Sequence, residues 1–319
     1  MKLGLLHRLS GNERKNGIWP VEWAMIAYTI FTLILISSFN VQLVEPVQMI
    51  LLRVAFMALI GAVWVVYRLY PCQLTTYLRV SLVMMTLSQW YPDTYEFNRL
   101  FVNLDHVFAS WEQSIFGCQP ALLFGQHFPQ WWVSESLYLG YFSYFPMIWL
   151  LVTWFWLKRP EALQRTAFII MASFFVYYII YIFVPVAGPQ YYYQAEGVDA
   201  ANAVFPSLGH YFHEMRDMYP AVGVDGPFHH LVNLAHEAGE RPTAAFPSSH
   251  IGIATILLIL SFRHHLRGLA FILLPLYLLL CMATVYIHAH YLIDAIAGFI
   301  SSFLVYFLLS WIWKKFFEK

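Results

Sequence analysis

Two short polar segments interrupt the apolar last quarter of the sequence. The first, AAFPSSHIGIATI, contains Ser248, Ser249 and His250, and the second, YIHAHYLIDAIAG, contains His290 and Asp294. His290 and Asp294 are four residues apart, so on a helix they would share one face, and the carboxylate could accept a hydrogen bond from one imidazole nitrogen. The other nitrogen would then be free to act as a nucleophile or a base, supported by the negative charge behind it.

His250 follows Pro-Ser-Ser, which predicts the start of a helix with Ser248 as its N-cap. The backbone N–H groups and the positive end of such a helix favour a bound anion. A histidine beside that anion can protonate a leaving oxygen and later accept a proton from an incoming hydroxyl. The two segments therefore predict a nucleophile, His290, a supporting acid, Asp294, and a proton-transferring histidine, His250.

Apolar runs of membrane length must position these segments. Hydrophobic residues make up 60 % of the 319 residues and charged residues only 11 %, whereas soluble domains contain about 25 % charged residues. We therefore predict an all-α polytopic membrane protein. Runs of roughly the 20 residues that cross a bilayer predict about eight transmembrane helices, near residues 21–39, 46–66, 74–90, 136–156, 165–187, 247–262, 268–287 and 290–313.

The distribution of positive charge predicts the orientation of these helices. If the N-terminus is cytoplasmic, most of the 18 Lys and Arg residues lie on the cytoplasmic side, as the positive-inside rule requires. Both termini are then cytoplasmic, and the first span is expected to stay as an anchor. The long connections 91–133 and 188–246 lie on the extracytoplasmic face, together with most of the histidines, so we expect the chemistry there.

The two long connections differ in their pattern. Apolar residues recur at helical spacing over 97–115 opposite polar ones that include Asn103 and Glu112, which is typical of a helix lying in the membrane interface. Prolines and glycines break the connection 188–246, which we expect to form a cap over the outer mouth. The chain then divides into N-terminal spans with the interfacial helix (1–133), a catalytic membrane core (134–313) and a cytoplasmic tail (314–319).

Several other kinds of site are excluded by composition. The formal net charge is zero and there is no basic tract, so no nucleic-acid partner is expected. Cys72, Cys118 and Cys281 are too few and too scattered for a disulfide framework or a metal motif. His288 and His290 have no third ligand at regular spacing, so we predict neither a zinc site nor any other cofactor.

The polar segments resemble known signature motifs. PSSH, followed about 40 residues later by HYLID and AG, is similar to the second and third motifs of the type 2 phosphatidic acid phosphatase superfamily, usually Pro-Ser-Gly-His and Ser-Arg-x5-His-x3-Asp. The resemblance covers roughly residues 134–313. It implies that His290 forms a phosphohistidine, that Asp294 supports it, that His250 is the proton donor, and that no metal is needed.

The chain also departs from these motifs. Ala283 and Thr284 stand where the superfamily has Ser and Arg, and no Lys-x6-Arg-Pro first motif is present. A phosphomonoester carries close to two negative charges at neutral pH and normally needs such cations. A phosphodiester carries only one negative charge. The missing cations therefore favour a diester, such as a phospholipid whose head group is moved.

One branch of the superfamily, the inositol phosphorylceramide synthases, looks like this chain in those respects. It has Pro-Ser-x-His, a His-Tyr-x-x-Asp motif without the upstream Arg, and a segment with Pro and Tyr, here FVPVAGPQYYY. The resemblance implies transfer of phosphoinositol from a phospholipid donor to a lipid alcohol acceptor of the ceramide type, with release of diacylglycerol. The candidates for binding the phosphate or head group are Ser248, Ser249, Arg241, His229, His230, Gln190 and Tyr191.

Two alternatives stay open. A lipid phosphate or polyprenyl diphosphate phosphatase would use the same residues with water in place of the alcohol. A transporter could use Asp294 as a buried proton relay, since acids within membranes also mark ion pathways.

Overall fold

The structure, a computed structural model, describes residues 17–220, 222–223 and 226–318. The described residues are all-helical, as predicted, with 73 % of them in helices. The described residues form no strand, and only an isolated bridge joins Asp199 to Val204. The chain divides into two compact units, one formed by the residues up to Tyr91 together with Leu150–Phe175 and the residues from Phe307 on, the other by Pro92–Trp149 and Val176–Tyr306.

The first unit begins with three helices, α1 (Pro20–Phe39), α2 (Pro46–Leu69) and α3 (Gln73–Met85). A fully buried ion pair joins two of them, because Arg79 on α3 donates from Nε to Glu22 Oε1 and from Nη2 to Glu22 Oε2, each over 2.6 Å. The guanidinium also lies 4.2 Å from the ring centre of Trp19. Two hydrogen bonds and an aromatic face together compensate the loss of hydration of both charges.

The remaining helices follow in chain order. They are α4 (Leu87–Asn98), α5 (Asp105–Phe116), α6 (Pro120–His127), α7 (Trp131–Phe142), α8 (Tyr144–Lys158), α9 (Pro160–Phe183), the single turn α10 (Pro189–Tyr192), α11 (Pro227–Gly239), α12 (Ser249–Arg263), α13 (Arg267–Tyr286) and α14 (Leu292–Phe316), with a 3₁₀ turn at Tyr211–His213 between α10 and α11.

Among the described residues, five helices are long and apolar enough to cross a membrane: α1, α2, α9, α13 and α14. A sixth span is formed if α7 and α8, bent by 46° at their junction, are taken together. The protein is thus an integral, multi-pass membrane protein. The count differs from the predicted eight because the third predicted span is broken into α3 and α4, and the sixth, α12, has only 15 residues.

The predicted single interfacial helix over 97–115 is wrong, because the chain leaves helical geometry between α4 and α5. Asn103 donates its backbone N–H to the Gly209 carbonyl (2.9 Å), and Leu104 donates to the Pro185 carbonyl (2.8 Å). The Asn103 side chain accepts the N–H of Asp105 at the start of α5 (3.1 Å). Asn103 and Glu112, predicted to lie on the polar face of that helix, are 6 % and 0 % exposed.

The connection 188–246 is largely irregular, as its prolines and glycines indicate, but it contains the 13-residue helix α11. Pro227 begins this helix, a position where the missing N–H of proline has no helical partner to lose. α11 packs against α7. Both ends of the connection contribute to an apolar cluster with α5 and the start of the last helix, formed by Phe108, Ala109, Val186, Tyr192, Tyr193, Ala245 and Tyr291.

Candidate active site

His250 and His290 come together although they are 40 residues apart in sequence. His250 lies in the first turn of α12, and His290 lies in the turn between α13 and α14. Nδ1 of His250 is 3.3 Å from Nε2 of His290. The two imidazoles are thus close enough to contact the same substrate phosphate group.

The turn that carries His290 is formed at the end of α13. His288 adopts a left-handed backbone conformation with φ of 65°, which reverses the chain as helix C-terminal residues often do. The His290 backbone N–H then donates to the carbonyl of Thr284, 2.9 Å away. Thr284, the residue at the position of the arginine in the superfamily motif, is therefore hydrogen-bonded to the backbone of the predicted nucleophile.

The hydrogen bonds of His290 define its tautomer. Nδ1 lies 2.8 Å from the carbonyl oxygen of Ala245, and because a carbonyl only accepts, Nδ1 carries the proton. Burial lowers the pKa of His290 to about 4, although the bond to Ala245 raises it, so the ring is neutral at pH 7. Nε2 therefore presents a lone pair toward His250, and the bond between the rings requires His250 to donate from Nδ1.

Asp294 does not form the predicted hydrogen bond with His290. Its Oδ2 is 3.9 Å from His290 Nδ1, and it accepts the backbone N–H of Tyr291 instead (2.9 Å). The expectation of a shared helix face fails because α14 begins at Leu292, after His290. Asp294 is fully buried and lies within electrostatic range of the imidazole.

The start of α12 confirms Ser248 as the N-cap. The Ser248 hydroxyl accepts the N–H of Ile251 (3.4 Å), and Ser249 donates its backbone N–H to the hydroxyl of Tyr181 (3.0 Å), which itself donates to the Pro247 carbonyl (3.0 Å). Two of the N–H groups expected to bind an anion thus already have acceptors within the protein.

The two motifs are also in direct contact. Ser248 donates its backbone N–H to the carbonyl of Asp294 over 3.0 Å. A Cβ atom at Gly298 would lie 2.4 Å from the Ser248 carbonyl oxygen. The glycine of the AG pair therefore allows the close approach of α14 to the start of α12. This approach keeps His250 and His290 next to each other.

Two tyrosines that no sequence motif indicates pack against the His250 ring. Tyr141 stacks on His250 with ring centres 4.8 Å apart and 28° between planes, and Tyr144 lies 4.5 Å away. His236 of α11 packs edge-on against the same Tyr141 ring at 5.7 Å. Because tyrosines are common throughout the chain, only the three-dimensional contact distinguishes these two.

Two histidines of α11, His229 and His230, were predicted to contact the phosphate or head group. His229 packs its ring edge against Tyr138, with centres 4.7 Å apart, and is 8 % exposed. The backbone N–H groups of Phe228 and His229 donate to the Glu135 carboxylate over 2.9 and 3.0 Å, which anchors the start of α11. His230 is exposed.

The remaining candidates lie in the segments around the histidine turn. Gln190 donates its backbone N–H to the His288 carbonyl (2.8 Å) and accepts the N–H of Tyr219 (2.6 Å). Tyr191 is buried; burial raises its pKa, whereas the nearby charge of Arg241 lowers it. The Arg241 guanidinium donates to the carbonyl of the preceding residue over 2.8 Å.

Two acids of α5 that the motifs do not include also reach this turn. Asp105 accepts the hydroxyl of Tyr291 (3.0 Å), and Glu112 accepts the backbone N–H groups of Leu292 and Ile293. Both are fully buried. The signal available in the sequence was the presence of acids in a mostly apolar helix, but their partners are distant in sequence. Among the described residues, no group of three or more His, Cys, Asp or Glu is arranged to hold a metal ion.

Comparison with known proteins gives the family. The family model described as the PAP2 superfamily, the type 2 phosphatidic acid phosphatases and their relatives, matches residues 106–308. The match begins before residue 134, where the motif resemblance was expected to start, and so includes α5 from its second residue onward. No curated protein and no solved structure matches the chain. Membership suggests phosphatase or phosphotransferase activity. The chain belongs to the PAP2 superfamily.

Proposed function

We propose that the protein is a membrane phosphotransferase that moves the phospho-head group of a phospholipid to a lipid alcohol through a phosphohistidine on His290. The observation that carries this proposal is the pairing of His290 Nε2 with His250 Nδ1 at 3.3 Å, with the other nitrogen of His290 held by a carbonyl. One ring thus has a lone pair to attack, and the other has a proton to give.

In the first half-reaction, His290 Nε2 attacks phosphorus and forms a P–N bond. The P–O bond to the glycerol of the lipid breaks, and His250, protonated as the imidazolium when the anionic substrate is bound, donates its Nδ1 proton to the departing oxygen, which releases diacylglycerol and leaves His250 neutral. The imidazole of His290 then carries positive charge. Asp294, whose Oδ2 lies 3.9 Å from Nδ1, stabilises that charge through space rather than through a hydrogen bond.

In the second half-reaction, His250 accepts the proton of the incoming hydroxyl. The alcohol oxygen attacks phosphorus, the P–N bond breaks, and both histidines return to their starting protonation states. A phosphatase would differ only in admitting water at this step. The apolar, tyrosine-lined surroundings of His250 are consistent with either nucleophile.

The charge around the histidine pair supports a diester substrate. Thr284 stands where the superfamily motif has its arginine; it is fully buried, and its carbonyl accepts the His290 backbone N–H. A singly charged phosphodiester needs less positive charge than a monoester that carries nearly two negative charges. By resemblance, the donor is phosphatidylinositol, the acceptor is a ceramide, and the site opens to the extracytoplasmic face.

The test compares two lipid reactions of the purified protein in lipid nanodiscs, together with ion flux in vesicles. Phosphatidylinositol with ceramide should give diacylglycerol and a new inositol phospholipid, and phosphatidic acid should release no phosphate. His290→Ala should abolish the reaction, whereas His127→Ala, a change at an exposed histidine, should not. Phosphate release from phosphatidic acid without any transfer would establish the phosphatase. Ion flux altered by His290→Ala, with no lipid turnover in the wild-type protein, would establish a transporter.

A further inference from the structure

Helix α5 presents two buried carboxylates toward the histidine turn. Asp105 and Glu112 are seven residues apart, two helical turns, so they lie on the same face of α5. Each is 0 % exposed. A carboxylate is seldom buried unless its charge is compensated by hydrogen bonds, so the partners of these two indicate what they do.

Asp105 joins two segments of the site. Its Oδ2 accepts the backbone N–H of Ala187 (2.7 Å) and the Asn103 amide (2.6 Å). Its Oδ1 accepts the N–H of Gly188 (2.8 Å) and the hydroxyl of Tyr291 (3.0 Å). Four donors therefore compensate one carboxylate, and two of them belong to the segment that follows α9.

Two successive hydrogen bonds connect that segment to the His290 ring. The Val186 carbonyl, adjacent to the residues held by Asp105, accepts the backbone N–H of Ala245 (3.0 Å). The Ala245 carbonyl in turn accepts Nδ1 of His290 (2.8 Å). Asp105 thus acts on His290 from two sides, through the carbonyl that orients the imidazole and through the neighbouring residue Tyr291.

Glu112 holds the other end of the same turn. Its Oε1 accepts the N–H groups of Leu292 and Ile293, the first two residues of α14. These N–H groups have no acceptor within their own helix, so Glu112 supplies from α5 the cap that a serine or aspartate usually provides. The start of α14 is thereby fixed two residues after His290.

We propose that α5 positions the nucleophile: Asp105 and Glu112 are positioning residues that set the orientation of His290. The kinetic consequence rests on the proposed function, because it assumes that His290 is the group that attacks phosphorus. The structural consequence, an ordered and solvent-protected His290 ring, does not depend on any reaction.

Tyr291→Phe is the most selective test, because it removes only the hydroxyl bonded to Asp105. The matched control is Tyr192→Phe, which removes a hydroxyl that donates to the Pro206 carbonyl (2.9 Å) from an equally buried tyrosine. We expect Tyr291→Phe to lower kcat about tenfold or more, since small errors in the position of a catalytic group are costly, with KM nearly unchanged. Tyr192→Phe should keep the wild-type kcat.

A second pair of variants tests Glu112. Glu112→Ala removes the cap of α14, whereas Glu112→Gln retains an oxygen that can accept the same N–H groups. Glu112→Gln should therefore recover most of the kcat that Glu112→Ala loses. Equal losses in the two variants would contradict a capping role.

A substrate-independent measurement separates this inference from the proposed function. The rate at which diethyl pyrocarbonate modifies His290 can be followed by mass spectrometry of the peptide that contains it. One hydrogen bond changes a local opening equilibrium by about three- to tenfold, so His290 should react faster by about that factor in Tyr291→Phe and at the wild-type rate in Tyr192→Phe. Equal rates in all three proteins would overturn the positioning role of α5, even if lipid transfer is observed. A faster rate in Tyr291→Phe alone would support it, even if no transfer is found.

Discussion

The replacement Asp294→Asn tests how the acid behind His290 acts. The amide oxygen of Asn can still accept the N–H of Tyr291, which Asp294 Oδ2 accepts over 2.9 Å, so the turn should keep its geometry. What is lost is the carboxyl group that, once the imidazole becomes cationic, carries the compensating negative charge 3.9 Å from His290 Nδ1. The substitution therefore separates electrostatic support of the imidazole from the local hydrogen bond.

The magnitude follows from Coulomb's law. At a separation of 3.9 Å and an effective dielectric constant of about 20, a unit charge pair contributes about 4 kcal/mol. If the imidazole is fully charged when phosphorus is bound, losing this energy slows the first half-reaction by up to about 10³-fold. Partial charge in the transition state would lower the factor, so we expect a loss of kcat between about 10²- and 10³-fold.

The assay is the release of diacylglycerol from phosphatidylinositol by purified protein, with kcat and KM measured separately. Asp199→Asn, a change at an exposed acid that bonds Asn202 over 2.7 Å, serves as the control. The thermal unfolding midpoint should be similar in all three proteins. A kcat for Asp294→Asn within a few fold of wild type would refute the reasoning, since it would mean that no negative charge at Asp294 acts on His290 during the reaction.

Three further outcomes are expected. His250→Ala should lower kcat on phospholipid by about 10²- to 10⁴-fold but much less on a p-nitrophenyl phosphodiester, whose leaving group needs no proton; equal losses on both would contradict a proton donor. Burial lowers the pKa of His288 and of His290 from 6.5 to about 4. The free energy of unfolding should therefore fall by about 3 kcal/mol for each histidine as the pH is lowered from 6.5 toward 4. An unfolding free energy that stays constant over this range would contradict the burial of neutral histidines. Gly298→Ala should destabilise the protein by about 1–3 kcal/mol, because its Cβ would lie 2.4 Å from a backbone carbonyl, whereas Gly61→Ala, where nothing lies within 4 Å, should not lower the unfolding midpoint.

The features that could be predicted from sequence are those fixed by neighbouring residues. The apolar runs near 21–39 and 46–66 predicted the bounds of α1 and α2 to within a few residues, because the hydrophobicity of one span is a local property. The Ser248 cap was also predictable, because its partner Ile251 is three residues away. The motif spacing of His250 and His290 was sufficient to indicate the superfamily that the family model shows.

The features that could not be predicted depend on contacts between distant segments. The i, i+4 spacing suggested a hydrogen bond between His290 and Asp294, but α14 begins after His290, and the Ala245 carbonyl, 45 residues away, takes that position. Helical spacing placed Glu112 on the polar face of an interfacial helix, and its partners at the start of α14 could not be predicted because they are 180 residues away. Helical periodicity identifies which residues share a face, and only the fold determines what that face contacts.

The most direct test of the central claim is to isolate the covalent intermediate. Wild-type protein incubated with phosphatidylinositol in the absence of an acceptor, and quenched under alkaline conditions that preserve phosphohistidine, should carry the phospho-head group on the peptide that contains His290. Fragmentation should place it on Nε2, since Nδ1 is bonded to the Ala245 carbonyl. Addition of ceramide should remove the label and form the new phospholipid. A label on His250, or turnover without any labelled histidine, would contradict the account.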